Sequence, residues 1–474
     1  MTLSFRRASL ALLLPLLGAA PLPASRFAAR PLQGAKPDPQ VIAQFGLYNS
    51  PTLQAYITKQ GKQMTAISDR PGDYGFTIVD SPIINAFATP DGHVYFTRGI
   101  MAYFNNEAQF TGVLGHELGH ITARHGQKQQ TKSTIAGIGV LLGSVVAPKL
   151  MQGAVGSLVQ GGVQLGLLKY SRDAENEADG LGVKYSTKTG YDAAYMADFF
   201  QTLERTEKAS GGGSTPGFLS THPNSADRYQ RVKGLAAQAK QSLGNRPLTV
   251  NRDAYLRSIE GLAYGEDPRQ GFVEGNVFYH PDLKFRFPVP SGWKTQNTPE
   301  QFQMAEPSGK AQLVFLGAGS GTAADAATAL TKQLGLTSPT TSQTTLNGFP
   351  VVVVEGDQAA SSTQSTPVHV LAHLIQDGQS VYALIGLAPT ATFSTYAPQF
   401  RSVAEGYQRL TDASKLNRQP EHIHIKTATG SLTLASALAA NGVASKRYEE
   451  LAILNGMQTT TQLTKGQLYK VVGK

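Results

Sequence analysis

The feature that most constrains this chain is the pentapeptide His116-Glu117-Leu118-Gly119-His120. The stretch around it reads as helix. Asn106 followed by Gln109 resembles a capping box, Phe110, Val113, Leu114 and Ile121 recur at helical spacing, and Gly126 is the expected stop. Residues four apart on a helix share a face, so His116 and His120 can both aim an imidazole at one ion. Glu117 sits beside that face, where its carboxylate can hold a water. A catalytic zinc takes three protein ligands and keeps a fourth position open, so a third ligand has to come from elsewhere. A third histidine from the same segment would need Gly at 123 and His at 126. The chain has Ala123 and Gly126, which leaves His125 one residue out of register and not expected to be a ligand.

The acids of Ser171-Arg-Asp-Ala-Glu-Asn-Glu-Ala-Asp179 are the alternative source. Glu175 and Asp179 are four apart on one face of the helix this segment opens. One can reach the ion while the other anchors a ligand imidazole. Glu177 points elsewhere and reads as a solvated carboxylate.

At 474 residues the chain exceeds one ordinary domain. Its net charge of +9 is spread without a Lys/Arg block, which suits diffuse attraction to anionic surfaces, including peripheral membrane contact. No nucleic-acid motif accompanies that charge, so nucleic acid is not expected as a partner. The absence of cysteine excludes thiolate metal sites and disulfides. Arg6-Arg7, an apolar run over 10–20 and small residues up to Ala24 have the order of a signal peptide covering 1–24, hence an exported protein.

Helical periodicity over 37–67 nominates Val41, Ile42, Phe45, Leu47, Tyr56 and Ile57 for the core. Strands are expected at 76–80, 83–88 and 93–97, the last two joined by the turn Thr89-Pro-Asp-Gly92. The 83–88 strand is a candidate edge for pairing with an extended substrate backbone, with Asn85, Ala86, Phe87 and Ala88 as its contacts. The glycine-rich apolar region 134–168 reads as two packed helices, with a lid or membrane-contacting flap as the alternative. Helices follow at 171–186 and 193–207, then a Gly/Ser loop over 209–217 and the segment Thr221-His222-Pro223. After Asn251 the composition shifts. Strands at 283–289, 312–316, 351–355, 368–375 and 380–385 alternate with helices at 323–334 and 393–409, an α+β pattern with a hairpin at Asp377-Gly378 and Trp293 as a core residue.

The HExxH pentapeptide, then Glu175-Asn-Glu-Ala-Asp179, then Thr221-His222-Pro223, resembles the HtpX and CAAX-prenyl-endopeptidase (Ste-type) family of gluzincin zinc metallopeptidases. Asn85-Ala86-Phe87-Ala88 with Thr97-Arg98-Gly99 matches its lead-in, and the likeness covers about residues 40–235. The resemblance implies one Zn2+ per chain on His116, His120 and Glu175, with Glu117 as general base and Asp179 orienting a ligand. It also implies His222 and Arg228 as polar groups near the reacting carbonyl. His222 has two readings: donor to the developing oxyanion, or a fourth ligand that holds the enzyme latent. Integral-membrane members carry several spanning helices; this chain looks like the soluble, exported branch.

Residues 421–474 resemble a LysM module through Thr433-Leu434, Asn441-Gly-Val443, Leu451-Ala-Ile-Leu-Asn-Gly456 and Lys465-Gly-Gln-Leu468, and depart from it at Ser431-Leu432. The resemblance makes peptidoglycan a candidate partner; a small packing module is the alternative. The expected architecture is therefore α+β in three parts. A mainly helical zincin-like domain with a small sheet (37–250) precedes an α+β accessory domain (275–410) and a βααβ LysM-like unit (421–474). The expected function is a periplasmic zinc endopeptidase, associated with the outer membrane or cell wall, that acts on unfolded or misassembled envelope proteins. Its rivals are a cell-wall peptide hydrolase and a non-catalytic envelope chaperone or scaffold with a latent zinc site.

Overall fold

The computed structural model describes residues 36–128, 170–209, 217–222, 227–244, 246–358 and 367–474. The signal segment 1–24 and the glycine-rich region 134–168 lie outside the described residues. Among the described residues no helix is long and apolar enough to cross a membrane.

The first part is helices laid on a small sheet. Helix α1 (Pro39–Phe45) ends at Gly46, whose φ of 73° only glycine adopts freely, and α2 (Pro51–Ala66) starts anew at a proline. The break explains why Leu47, expected in the core, is 56% exposed. Strands β1 (Gly75–Val79), β2 (Ala86–Ala88) and β3 (His93–Thr97) stand in the order β1-β3-β2, with β2 and β3 joined by the expected turn at Gly92. The strand expected over 83–88 shortens to three residues. The carbonyl of Ile83 accepts from the Thr97 hydroxyl and that of Ile84 from the N–H of Phe218, so the backbone there has partners other than a strand.

Helix α3 (Arg98–Tyr103) is capped by Thr97, and a side chain on Gly99 would come within 2.2 Å of the Pro82 carbonyl. Helix α4 (Glu107–Thr122) carries the HExxH pentapeptide, and Asn106 caps it by accepting from Gln109 N at 2.8 Å. It stops at Thr122, short of Gly126, because Arg124 turns into the left-handed region at φ 58°; residues 125–128 are helical again. Helix α5 (Arg172–Lys188) crosses α4 at a contact lined by Gly115, Gly119 and Gly182. A Cβ on Gly115 would stand 2.9 Å from the Gly182 carbonyl, and one on Gly182 would stand 3.0 Å from His116 N. The absence of side chains there brings the two backbones together. Helices α6 (Ala194–Ala209), α7 (Gly217–Thr221) and α8 (Arg228–Ser242) pack around this pair.

The accessory part holds a seven-stranded sheet with a helix, Ala323–Leu334, on one face; Phe393–Glu405 and a four-stranded sheet cover the other. The Asp377-Gly378 hairpin and both helices stand as expected, the second ending at Glu405. Trp293 is only half-buried, edge-on to Phe400. The strand Thr337–Leu346 escapes the hydrophobic pattern because it is an exposed edge built of Thr and Ser.

Residues 421–473 run strand, helix, helix, strand, and do not stand apart from the first part. Strand Glu421–Thr427 pairs with β4 (Ala263–Tyr264), and Leu434, Leu438, Leu451 and Leu454 share one core with Phe104, Phe110, Phe199 and Tyr255. Lys470 is buried at their meeting and donates all three ammonium hydrogens to the carbonyls of Ala102, Phe104 and Leu454, at 2.7, 2.7 and 3.0 Å.

The crossing gives a paired test. Gly115→Ala should lower stability by about 1–3 kcal/mol in denaturant melts, since neighbouring backbone has to move. Gly180→Ala, where nothing lies within 4 Å, should be neutral or stabilising by up to ~1 kcal/mol. Equal effects would show that the close contact does not matter.

Candidate metal centre

The crossing sets α4 and α5 near enough for acids of one to reach histidines of the other. His116 Nε2 stands 3.0 Å from His120 Nε2 and 3.2 Å from His222 Nδ1. Glu175 Oε1 stands 3.0 Å from His222 Nδ1 and 3.5 Å from His120 Nε2. These four residues, all buried, offer atoms that lie within 4.8 Å of one another. The corners of a tetrahedron with centre-to-corner distances of about 2.0–2.1 Å lie ~3.3 Å apart, which suits a four-coordinate zinc. A cation at their centre would satisfy the three imidazole nitrogens and the carboxylate oxygen together. Glu117 supplies a second sign: it is fully buried, yet neither carboxylate oxygen has a hydrogen-bond partner among the described residues. A buried carboxylate left this way is costly unless a ligand completes it.

The surrounding groups hold this set in place. Asp179 stands 3.0 Å from His116 Nδ1 and accepts from Arg228 at 2.9 and 2.7 Å and from Arg231. Arg228 also pairs with Glu175 at 3.2 Å and lies over the Phe200 ring at 4.1 Å. Tyr170 stacks on His120 at 3.8 Å, and Phe218 on His222 at 4.5 Å. Burial pushes the Glu117 carboxyl above its ordinary range, against the pull of His222 and His116. Burial alone would raise Asp179 too, but Arg228 and His116 outweigh it and hold the carboxyl well below that range. For His222, burial is outweighed by Glu175 and Glu117, and its pKa is raised. His120, buried beside His116 and His222, is driven down.

The structure thus brings together His116, Glu117, His120, Glu175, Asp179, His222 and Arg228. Arg228 arrives with its fork committed to Asp179 and Glu175. Asn85 to Ala88 stay outside the set. They meet it through α7, where Phe218 N–H donates to the Ile84 carbonyl at 2.9 Å, four residues before His222. The side chain of Phe87 turns away into a cluster with Val41, Val79 and Tyr95. Arg98 of the lead-in pairs with Asp80 and donates to the carbonyls of Ala263 and Gly265, so that motif braces the fold. Glu177 is exposed, as expected of a solvated carboxylate; what sequence reasoning missed is its 3.1 Å contact with His125 and the 3.0 Å approach of His125 to His120. The left-handed turn at Arg124 that makes this approach carries no glycine to announce it.

Three histidines and a carboxylate converging in this way form a candidate metal centre, and the part of the chain that carries them resembles a metalloprotease. Residues 51–236 match the model of Peptidase family M48. The chain is similar to the beta-barrel assembly-enhancing protease of Yersinia pestis, 30% identical over 48% of this chain and 47% of that protein. It is also similar to the mitochondrial metalloendopeptidase OMA1 of Arabidopsis thaliana, 30% identical over 40% of this chain and 36% of that protein. The metalloprotease YcaL of Escherichia coli is 29% identical over 39% of this chain and 72% of its own length. The chain spans less than half the length of the beta-barrel assembly-enhancing proteases it matches.

Arg228→Ala should cost about 3–5 kcal/mol in denaturant melts, because it strips the partner from two buried carboxylates. Unchanged stability with lost peptidase turnover would instead make Arg228 a group that serves the reacting carbonyl.

Proposed function

We propose that the protein is an exported zinc endopeptidase that cleaves unfolded or misassembled cell-envelope proteins, working in the periplasm on the outer-membrane side. The observation that carries the reading is the buried set of His116, His120 and Glu175 with the carboxylate of Glu117 beside it, which accepts no hydrogen bond among the described residues. The names of the similar proteins support the substrate class, and the signal-like order of residues 1–24 supports export. His116, His120 and Glu175 would hold the metal. The chemistry a zinc ion supplies is polarisation of a carbonyl and acidification of a water. Glu117 takes the proton of the attacking water and returns it to the leaving amine. Asp179 fixes the His116 tautomer by accepting at Nδ1, which leaves Nε2 bare for the metal.

A second reading, that the enzyme rests latent, is favoured by the position of His222. Its Nδ1 lies in the ligand set and its Nε2 is 3.5 Å from Glu117, so one side chain engages both the metal position and the base. The Phe218 N–H bond to Ile84 also occupies backbone beside β2, the strand proposed to pair with substrate. Activation then requires α7 to leave both.

Glu117→Gln should retain zinc yet abolish cleavage of casein or another unfolded protein, measured as metal content and turnover on one preparation; unchanged cleavage rejects the mechanism. His222→Ala should raise turnover if the histidine is a latch. A fall in turnover with metal retained would make it the oxyanion donor.

A further inference from the structure

His125 lies outside the ligand set yet touches it. Its Nδ1 stands 3.0 Å from His120 Nδ1, the imidazole nitrogen turned away from the set, and its Nε2 stands 3.1 Å from Glu177 Oε2. The two ends of this chain of bonds fix where its protons sit. A His120 that offers Nε2 to a metal carries its proton on Nδ1. That N–H donates to His125 Nδ1, which is then bare, so His125 holds its own proton on Nε2 and donates it to Glu177. Every donor meets an acceptor, and neither ring needs a charge.

The backbone is bent to make this contact. Arg124 takes φ 58°, uncommon for a non-glycine residue, and its N–H closes the turn on the Ile121 carbonyl at 3.1 Å. The turn brings residue 125 back over the end of α4. Tyr170 stacks on His120 with the rings 20° apart, which fixes the ring plane. The bond to His125 fixes the remaining freedom, rotation within that plane.

We infer that His125 and Glu177 form a positioning pair for His120, the counterpart of what Asp179 does for His116, and that they strengthen His120 as a metal donor. The inference rests on the metal centre proposed above. Helix α5 then serves the site in three ways. Glu175 joins the ligand set, Asp179 holds one histidine ligand, and Glu177 holds the other through His125. Hydrogen-bond acceptors behind a ligand imidazole set its tautomer and raise its basicity, and their loss typically weakens metal binding about 10–100-fold.

The test is zinc affinity of the metal-stripped full-length chain, measured by competition with a chromophoric chelator, together with the visible spectrum of the cobalt-loaded protein. His125→Ala should weaken zinc binding by about 10–100-fold and shift the cobalt bands. His125→Gln, whose Oε1 can still accept from His120, should recover most of that loss, which a merely space-filling role would not predict. Glu177→Ala should weaken zinc binding in the same direction. Its side chain is 53% exposed, so the melting temperature of the metal-free protein should stay at the wild-type value. Wild-type affinity in both alanine variants, with wild type itself binding zinc, would overturn the inference. An effect in His125→Ala without one in Glu177→Ala would overturn the pair. A wild-type chain that binds no zinc would overturn the metal centre itself.

Discussion

The close approach of α4 and α5 is the contact on which the site depends. Ligands from two helices can converge on a point only if the helix axes come nearer than ordinary side chains allow. Here Gly115 and Gly119 on one helix meet Gly182 and Ala178 on the other, backbone to backbone. Gly119 lies inside the HExxH pentapeptide itself, so one of its two unspecified positions serves the packing that delivers Glu175. Widening the crossing by one methyl group would pull Glu175 and Asp179 away from His116 together. Geometry of the metal set and packing of the domain are therefore one constraint.

Around that crossing the charges are arranged in opposed pairs without surplus. Asp179 and Glu175 face Arg228, which lies over Phe200, and Arg231 closes the outer side. Burying so many ionic groups is favourable only when each has its partner. The exception is Glu117: among the described residues its oxygens accept no hydrogen bond and have only His222 Nε2 at 3.5 Å, and this is the group whose proposed role requires a free carboxylate. A structural ion network would have had no reason to leave it out.

Much of the site is legible in the sequence because its signals are local. The cap at Asn106, the apolar spacing of α4 and the four-residue step from Glu175 to Asp179 each follow from helix geometry. What escaped depends on tertiary placement. His125 sits at the wrong spacing for a ligand, and only the bend at Arg124 shows that it returns to His120. Glu177 lies on a wet face, as expected, and only the placement of His125 gives it a partner towards the site. The strand Thr337–Leu346 has no apolar alternation to read, being an edge. The separate C-terminal unit expected from its βααβ pattern shares a core with the first part, a fact its own sequence could state only as the apolar faces of two short helices.

That shared core has a consequence for timing. Lys470 ties the carbonyls of Ala102 and Phe104, just ahead of the helix that carries Glu117, across a separation of 366 to 368 residues. A ribosome or a translocation channel delivers residues in order, so Glu117 emerges long before the lysine that braces its helix. Contacts of such length also form late in folding, because the loop they close is costly. The residues of the candidate site are therefore made early, while this part of their support is completed only once the last few residues of the sequence have arrived.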